Sequence, residues 1–116
     1  MRPIVHHIWR IKTVIRSSVF QKWIRILNDS HARIRITARI KRLTEGNPGD
    51  HRFLGDMVSE MRIDYGPGYR VYYKDTGEEI IILLCGGEKS TQQADIIKAK
   101  QIAADYDYAG YNESEG

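Results

Sequence analysis

The sequence predicts an α+β domain in which two N-terminal helices and a C-terminal helix pack against a small antiparallel sheet, in the order βααβββα. Three observations indicate this fold class. Apolar residues recur at helical spacing in segments near both ends, polar and apolar residues alternate over 57–74, and an uninterrupted apolar run occupies 80–85. The 116 residues fit one domain, which we expect at 1–106, followed by a mobile acidic tail at 107–116.

The first elements are a strand and a helix. Residues 8–15 alternate loosely, as a strand does, and residues 1–9 look like an extension in front of the domain. Ser18 and Gln21 form a capping box, which predicts that a helix begins here. The apolar residues that follow at helical spacing are Phe20, Trp23, Ile24 and Leu27.

Residues 30–44 fit two periodicities. The residues that alternate as in a strand are Ile34, Ile36, Ala38 and Ile40, and those at helical spacing are Ala32, Ile36, Ile40 and Leu43. The segment exceeds the usual length of a strand, follows the potential N-caps at 28–30 and precedes Gly46. We therefore predict a helix, with Arg35, Arg39 and Arg42 on one face.

A loop at 46–50 leads into a predicted β-hairpin that turns at Gly66-Pro-Gly68. If the loop has three residues and Tyr65 lies opposite Tyr69, the apolar face pairs Ile63 with Val71. The opposite, polar face then pairs Asp64 with Arg70, Arg62 with Tyr72, and Glu60 with Lys74.

The last elements are a buried strand and a helix. Residues 79–85 are apolar almost throughout, which predicts a central strand that ends at Gly86 and Gly87. Ser90 and Gln93 form a second capping box. The residues that line one side of the final helix are Ile96, Ala99, Ala103 and Tyr106.

Composition excludes several classes of protein. The longest apolar run has six residues, too few to cross a bilayer, and the N-terminus lacks the apolar stretch of a secretory signal, so we expect a cytoplasmic protein. The single cysteine, Cys85, excludes an internal disulfide and a zinc ribbon, and its apolar neighbours predict that it packs in the core. Neither a phosphate loop nor a nucleophile elbow occurs, and we expect no metal and no cofactor.

Charge is divided unevenly along the chain. Residues 1–42 carry a net charge of +10, and residues 43–116 carry −7. Such a basic segment favours a polyanion or an acidic protein as partner, although a solvated helix face would explain it equally well.

The polar face of the predicted hairpin gathers cations beside a tyrosine. Arg62, Arg70 and Lys74 are suited to bind phosphate, and Tyr72 among them could stack on a base or exchange a proton if the cations lower its pKa. Lys89 lies just before the last helix, where the amide groups also favour an anion. Together such groups suit RNA cleavage without a metal. Cross-strand ion pairs of Arg70 with Asp64 and of Lys74 with Glu60 are the simpler interpretation, and spacing alone favours them.

Several motifs resemble the RelE/ParE toxin superfamily, and specifically its branch of addiction-module killer proteins close to the HigB-like toxins. They are Phe20-x-x-Trp23, Gly46-Asn-x-Gly-Asp50, Glu60-x-Arg62-Ile63-x-Tyr65-Gly-Pro-Gly-Tyr69-Arg70-Val-Tyr72 and Leu84-Cys-Gly-Gly-x-Lys89-Ser-Thr-Gln92. The similarity covers residues 11–104 in consistent order. It implies a βααβββ core, often with a C-terminal helix, in agreement with the elements predicted above.

The resemblance implies a bacterial type II toxin that cuts mRNA on the ribosome without a metal. By position, Arg70 matches a catalytic arginine, and Arg62 and Lys89 fall near basic positions of the family. The tyrosine that RelE carries near its C-terminus has no counterpart around Asp95, and we assign its role to Tyr72. Glu60 stands about where RelE has a lysine, and is either a base or an unfavourable charge for RNA.

The first hypothesis is therefore a ribosome-dependent mRNA endonuclease. Its catalytic residues are Arg62, Arg70, Tyr72 and Lys89, and its further RNA contacts are Arg35, Arg39, Lys41 and Lys74. The rival hypotheses are a non-catalytic inhibitor of DNA gyrase, as in the ParE branch, and a decayed toxin that only binds its antitoxin. The expected partners are mRNA, the ribosome and a helix-turn-helix antitoxin from an adjacent gene.

Overall fold

The computed structural model describes residues 11–77 and 79–106, and it confirms the α+β class. The predicted extension at 1–9 and the predicted tail at 107–116 lie outside these residues. The elements are β1 (Thr13–Arg16), α1 (Ser18–Ile26), α2 (Ser30–Thr44), β2 (His51–Gly55), β3 (Val58–Ile63), β4 (Tyr69–Asp75), β5 (Ile80–Glu88), a 3₁₀ turn (Lys89–Thr91) and α3 (Gln92–Asp105).

The sheet is mixed, and its strand order is β1-β5-β4-β3-β2. Strands β2 to β5 pair antiparallel with their neighbours, whereas β1 runs parallel to β5. The prediction of an antiparallel sheet is thus wrong for one pair of strands, β1 and β5. The parallel pair arises because the two-helix segment α1–α2 and the strands β2 to β4 intervene before β5 returns beside β1.

Strand β2 was not predicted. Its first three residues are exposed at the edge of the sheet, so they lack the alternation of a half-buried strand. A two-residue turn joins it to β3, and both residues of this turn, Asp56 and Met57, have positive φ angles of 53° and 64°. This is the conformation of a tight hairpin turn, in which glycine and asparagine are the usual residues.

The register of the predicted hairpin is corrected by two residues. Ile63 lies opposite Tyr69, and Arg62 lies opposite Arg70, so the loop has five residues instead of three. Tyr65 leaves the strand because its hydroxyl donates to the Asp29 carboxylate (3.1 Å) and its ring lies beneath the Arg35 guanidinium.

Residues 30–44 form the predicted helix. Its core-facing residues are Ala32, Ile36, Ile40 and Leu43, whereas Ile34 is 65% exposed, so the helical periodicity is the one that decides burial. Asp29 caps α2 by accepting from the backbone N–H of His31 and Ala32. The cap of α1 is Ser17, one residue before the predicted Ser18, and its hydroxyl also donates to the Leu84 carbonyl.

The sheet has a packed layer on each face. Helices α1 and α2 cover one face through a cluster that includes Phe20, Ile36 and Val71. Helix α3 covers part of the other face through Ala99 and Ala103, with Ile96 and Tyr106 packed against the same cluster, as predicted. Cys85 belongs to this second cluster, and burial raises the pKa of its thiol to about 12, which confirms core packing.

Strand β5 continues through both glycines instead of ending at them. A Cβ atom on Gly86 would lie 2.3 Å from Cε3 of Trp23, and one on Gly87 would lie 1.8 Å from the Asp95 carboxylate. The glycines therefore allow a side chain to pack on the strand from each side. Helix α3 begins at Gln92, two residues after the predicted Ser90, because Lys89–Thr91 first form the 3₁₀ turn. In the described ranges, no helix has the length and apolar character needed to cross a bilayer.

Candidate functional site

Polar side chains form two adjacent rows on the face of the sheet that α3 partly covers. In one row, Glu60 of β3 lies between Arg52 of β2 and Tyr72 of β4. In the next row, Arg62 and Arg70 lie directly opposite each other. Like charges in this arrangement are destabilising unless something compensates for them, so these rows are the chemically distinctive feature of the fold.

The carboxylate of Glu60 is completely buried at the centre of this group. Its Oε2 atom accepts hydrogen bonds from the Gln92 amide (2.7 Å) and from the Tyr72 hydroxyl (3.2 Å). Its Oε1 atom lies 3.3 Å from Nη1 of Arg70 and 3.6 Å from Nη2 of Arg52. The neutral donors thus hold one oxygen, and the guanidinium groups approach the other.

Both arginines of the second row keep buried nitrogens without hydrogen bonds. Arg70 is only 8% exposed, and its Nε and Nη1 atoms have no hydrogen-bond partner among residues 11–77 and 79–106. The Nε atom of Arg62 also has no hydrogen-bond partner among the described residues, although its Nη2 donates to the Asp50 carboxylate at 3.1 Å. Buried guanidinium nitrogens left in this state indicate a place for an anion or ordered water.

The expectation for Tyr72 is wrong in both respects. Its side chain is completely buried, so it cannot stack on a base. Burial raises its pKa above the ordinary value for tyrosine, and the nearby charge of Glu60 and the hydrogen bond to it act in the same direction. The Arg70 charge lowers the pKa, as expected, but contributes least. Tyr72 therefore stays protonated and positions Glu60.

The two lysines of the predicted site lie at its margins. Lys89 is exposed in the 3₁₀ turn after β5, beside Gly68 of the hairpin loop, at the same end of the sheet as Arg70. Lys74 donates to the Ala103 carbonyl at 3.4 Å and thus links β4 to α3. The alternative ion pairs do not form: Arg70 meets Glu60 instead of Asp64, and Lys74 is paired by register with Val58.

The structure separates the helix cations from this group, because α2 packs on the opposite face of the sheet. Arg35 lies over the Tyr65 ring at 4.7 Å, and Lys41 pairs with Glu45 at 2.8 Å. Arg39 donates to the backbone carbonyls of Arg62, Pro48 and Asp50. The Arg39 guanidinium therefore supports the loop before β2, whereas Arg35 and Lys41 are exposed.

Two members of the site were not predicted, and the role of a third was left open. Gln92 stands in a quoted motif but had no predicted role, because only the tertiary fold brings α3 onto the sheet. Arg52 carried no signal, since no element was predicted for residues 51–56. Glu60 was expected on the polar face of the hairpin, either as a base or as an unfavourable charge for RNA. The described residues contain no group of three or more histidine, cysteine or acidic side chains that could hold a metal ion.

The arrangement suits binding of an oxyanion and transfer of a proton. Three guanidinium groups on neighbouring strands supply planar donors for phosphate oxygens, and the carboxylate beside them can accept a proton. Arg52 and Arg62 are partly exposed, so the group is reached from the sheet edge that β2 forms.

Comparison with known proteins identifies a relative over most of the chain. No protein-family model matches the chain. An uncharacterized protein of Haemophilus influenzae is 48% identical over 94 residues, which cover 81% of this chain and 92% of the relative. Similarity at this level over most of both chains indicates a common fold and descent, and the chain therefore belongs to the same family as this Haemophilus influenzae protein.

Proposed function

We propose that this protein is the toxin of a type II toxin-antitoxin system, and that it cleaves ribosome-bound mRNA with side chains instead of a metal. The observation that carries the proposal is the pair of opposed arginines, Arg62 and Arg70, beside the buried carboxylate of Glu60. The resemblance to the RelE/ParE superfamily supports it, since the motifs quoted above include three of the residues in this group.

The proposed reaction is an attack of a ribose 2′-oxygen on the adjacent phosphorus. Oε1 of Glu60 takes the 2′-hydroxyl proton, the new P–O2′ bond forms, and the P–O5′ bond breaks. The leaving 5′-oxygen receives a proton from Lys89 or from water, which leaves a 2′,3′-cyclic phosphate and a 5′-hydroxyl. Arg62 and Arg70 stabilise the charge on the pentavalent phosphorus, and such groups are usually the largest contribution to catalysis.

In this scheme Glu60 takes the proton-exchange role that the sequence analysis assigned to Tyr72. The Tyr72 hydroxyl and the Gln92 amide hold Oε2, so Oε1 is the oxygen directed to the arginines. Tyr72 and Gln92 are positioning residues, because they reach the substrate only through Glu60.

The proposed partners are mRNA, the ribosome and a helix-turn-helix antitoxin encoded next to the toxin. The exposed cations of α2, Arg35 and Lys41, lie on the face away from Glu60 and would meet ribosomal RNA or an acidic segment of the antitoxin. Co-purification with the product of the neighbouring gene tests the antitoxin, and a neighbour that neither binds nor neutralises contradicts it.

Cleavage is tested by adding the protein to a translating extract and mapping new 5′ ends in the mRNA. We expect discrete cuts, and a loss of about 100-fold or more in rate for Arg70→Ala, the usual effect of removing a group that stabilises the transition state. Arg25→Ala, which removes an exposed arginine of α1, is the control that should retain the cuts. Intact transcripts at toxic doses would reject the proposal.

Inhibition of DNA gyrase is the second candidate. It is favoured by the complete burial of Glu60 and Tyr72, which leaves the acid-base groups covered in the free protein. A supercoiling assay with purified gyrase separates the two: the nuclease leaves supercoiling intact, whereas a gyrase inhibitor abolishes it. Unaffected growth on induced expression would instead indicate a toxin that has lost its activity.

A further inference from the structure

We propose that Glu60 is the built-in occupant of a phosphate-binding site formed by Arg52, Arg62 and Arg70, and that an incoming phosphate group must displace its carboxylate from the arginines. The free protein is then self-blocked at this site. The proposal rests on the proposed function for the physiological ligand, an RNA phosphodiester, and on geometry alone for the site.

The first support is the poor pairing of Arg70 in the free protein. This side chain is nine-tenths buried, yet Nε and Nη1 form no hydrogen bond within the described residues, and its contact with Glu60 is a single approach of 3.3 Å. A carboxylate suited to arginine would accept two parallel bonds from its planar edge. Glu60 therefore compensates the charge of Arg70 without satisfying its donors, and a tetrahedral phosphate that takes over the arginine contacts could satisfy them.

The second support is the uneven bonding of the carboxylate. Oε2 accepts hydrogen bonds from Gln92 and Tyr72. Oε1 forms ion-pair contacts with the two guanidinium groups, but it accepts no hydrogen bond from the residues that the structure describes. The neutral donors keep Glu60 in position if the arginines turn away. Exchanging the arginine contacts for phosphate thus breaks no hydrogen bond of Glu60, and the freed Oε1 becomes the proton acceptor of the proposed reaction.

The third support is the opposition of Arg62 and Arg70. Two positive side chains directly across from each other repel, and Glu60 and Asp50 compensate one arginine each. The Asp50–Arg62 pair is largely exposed, and Arg52 is half exposed at 3.6 Å from Oε1, so both contacts are weak and easily exchanged. Phosphate can enter through these exposed arginines, and one phosphate group that bridges the pair would contact both guanidinium groups at once.

The test compares phosphate binding to the full-length wild type and to Glu60→Gln by isothermal titration calorimetry at low ionic strength. Glutamine keeps the shape and can still accept from Tyr72 and Gln92, but it removes the competing charge. We expect affinity for inorganic phosphate to rise about tenfold in Glu60→Gln, while RNA cleavage falls. Glu45→Gln removes an exposed carboxylate that pairs with Lys41, and it should leave phosphate affinity unchanged.

A second measurement serves if Glu60→Gln does not fold. NMR signals of the arginine side chains in the wild type should shift with phosphate at Arg52, Arg62 and Arg70, and not at Arg25 of α1. Titration with a 2′-O-methyl RNA, which cannot be cleaved, distinguishes the ligands: tighter binding than inorganic phosphate assigns the site to an RNA backbone, and the reverse order assigns it to free phosphate.

Unchanged or weaker phosphate affinity in a folded Glu60→Gln protein would overturn the proposal, as would wild-type shifts confined to other arginines. This failure is distinct from failure of the proposed function, because phosphate binding is measured without translation or cleavage. A protein that binds phosphate as described and leaves mRNA intact would retain the site and lose the nuclease.

Discussion

At the scale of single residues, Arg39 is the cation whose role differs most from the expectation of RNA contact. Its guanidinium donates to three backbone carbonyls, at 2.6 Å to Arg62, 2.9 Å to Pro48 and 3.2 Å to Asp50, and partial burial lowers its pKa. One planar group thus fixes the loop that leads into β2, a geometry that lysine cannot reproduce.

We predict that Arg39→Ala lowers the free energy of unfolding by about 2 kcal/mol, because hydrogen bonds from a charged group to half-buried carbonyls are lost. Urea unfolding followed by circular dichroism measures this. Arg42→Ala, an exposed arginine on the same helix, is the matched control and should change stability by less than about 0.5 kcal/mol. Equal effects of the two substitutions would show that the carbonyl contacts contribute little.

The candidate site could be predicted from the sequence only in part. Alternation along a strand is local information, and it correctly placed Arg62 on one face of β3 and Arg70 and Tyr72 on the matching face of β4. The pKa of Tyr72 was expected to fall, but it rises, since desolvation beneath α3 outweighs the cations. Burial of this kind depends on which helix covers the strand, and local spacing does not contain that information.

At the scale of elements, the glycines of β5 explain how two layers approach the same strand. The Trp23 ring of α1 packs on Gly86, and the Asp95 carboxylate of α3 packs on Gly87. The sequence interpretation ended the strand here because paired glycines usually mark a turn. In this fold, the missing side chains leave room for neighbours instead.

Gly86→Ala should destabilise the protein by about 1–3 kcal/mol, because the added methyl group overlaps the Trp23 ring and forces it to move. A double-mutant cycle in urea with Trp23→Leu is the measurement. The double variant should be more stable than the sum of the single effects predicts, since the smaller side chain leaves space for the methyl group. Strict additivity would mean that the ring is not the obstacle.

The hairpin shows why element boundaries were harder to predict than element types. Both strands were identified, but Tyr65 was assigned to the first strand on its alternation, and this choice displaced every cross-strand pair by two residues. Its actual partners, Asp29 and Arg35, lie about thirty residues earlier in the chain. The parallel pairing of β1 with β5 also joins segments that are far apart in the chain, so the periodicity of the sequence could not predict it.

At the scale of the whole molecule, the charge of the chain and the position of the site are separate. The basic segment at 1–42 supplies the cations of α1 and α2, on one side of the sheet. Arg52, Arg62 and Arg70 come from the segment with net charge −7 and meet on the other side. The count of charges along the chain therefore indicates that the surface of α1 and α2 suits acidic partners. It does not indicate the phosphate-binding group proposed above, because the arginines of that group come together only when β2, β3 and β4 pair in the sheet.

The tyrosines give the molecule a marked sensitivity to alkaline pH. Burial raises the pKa of Tyr65, Tyr69, Tyr72 and Tyr73, so the folded protein keeps their protons at a pH where the unfolded chain releases them. Because the native state then binds more protons, the free energy of unfolding is unaffected by these groups below pH about 10 and decreases above it.

Tyr72→Phe tests the largest of these effects. It should make the decline above pH 10 shallower by up to about 1.4 kcal/mol per pH unit, the value for one proton retained only in the folded state. Urea unfolding at a series of pH values measures the slope, with Tyr65→Phe, at a partly buried position, as the control that changes it less. Absorbance at 295 nm should show the buried phenols of the native wild type ionising only as it unfolds. Native tyrosines that all titrate near pH 10 would contradict the packing of Tyr72 beneath α3, and with it the way Glu60 is held in place.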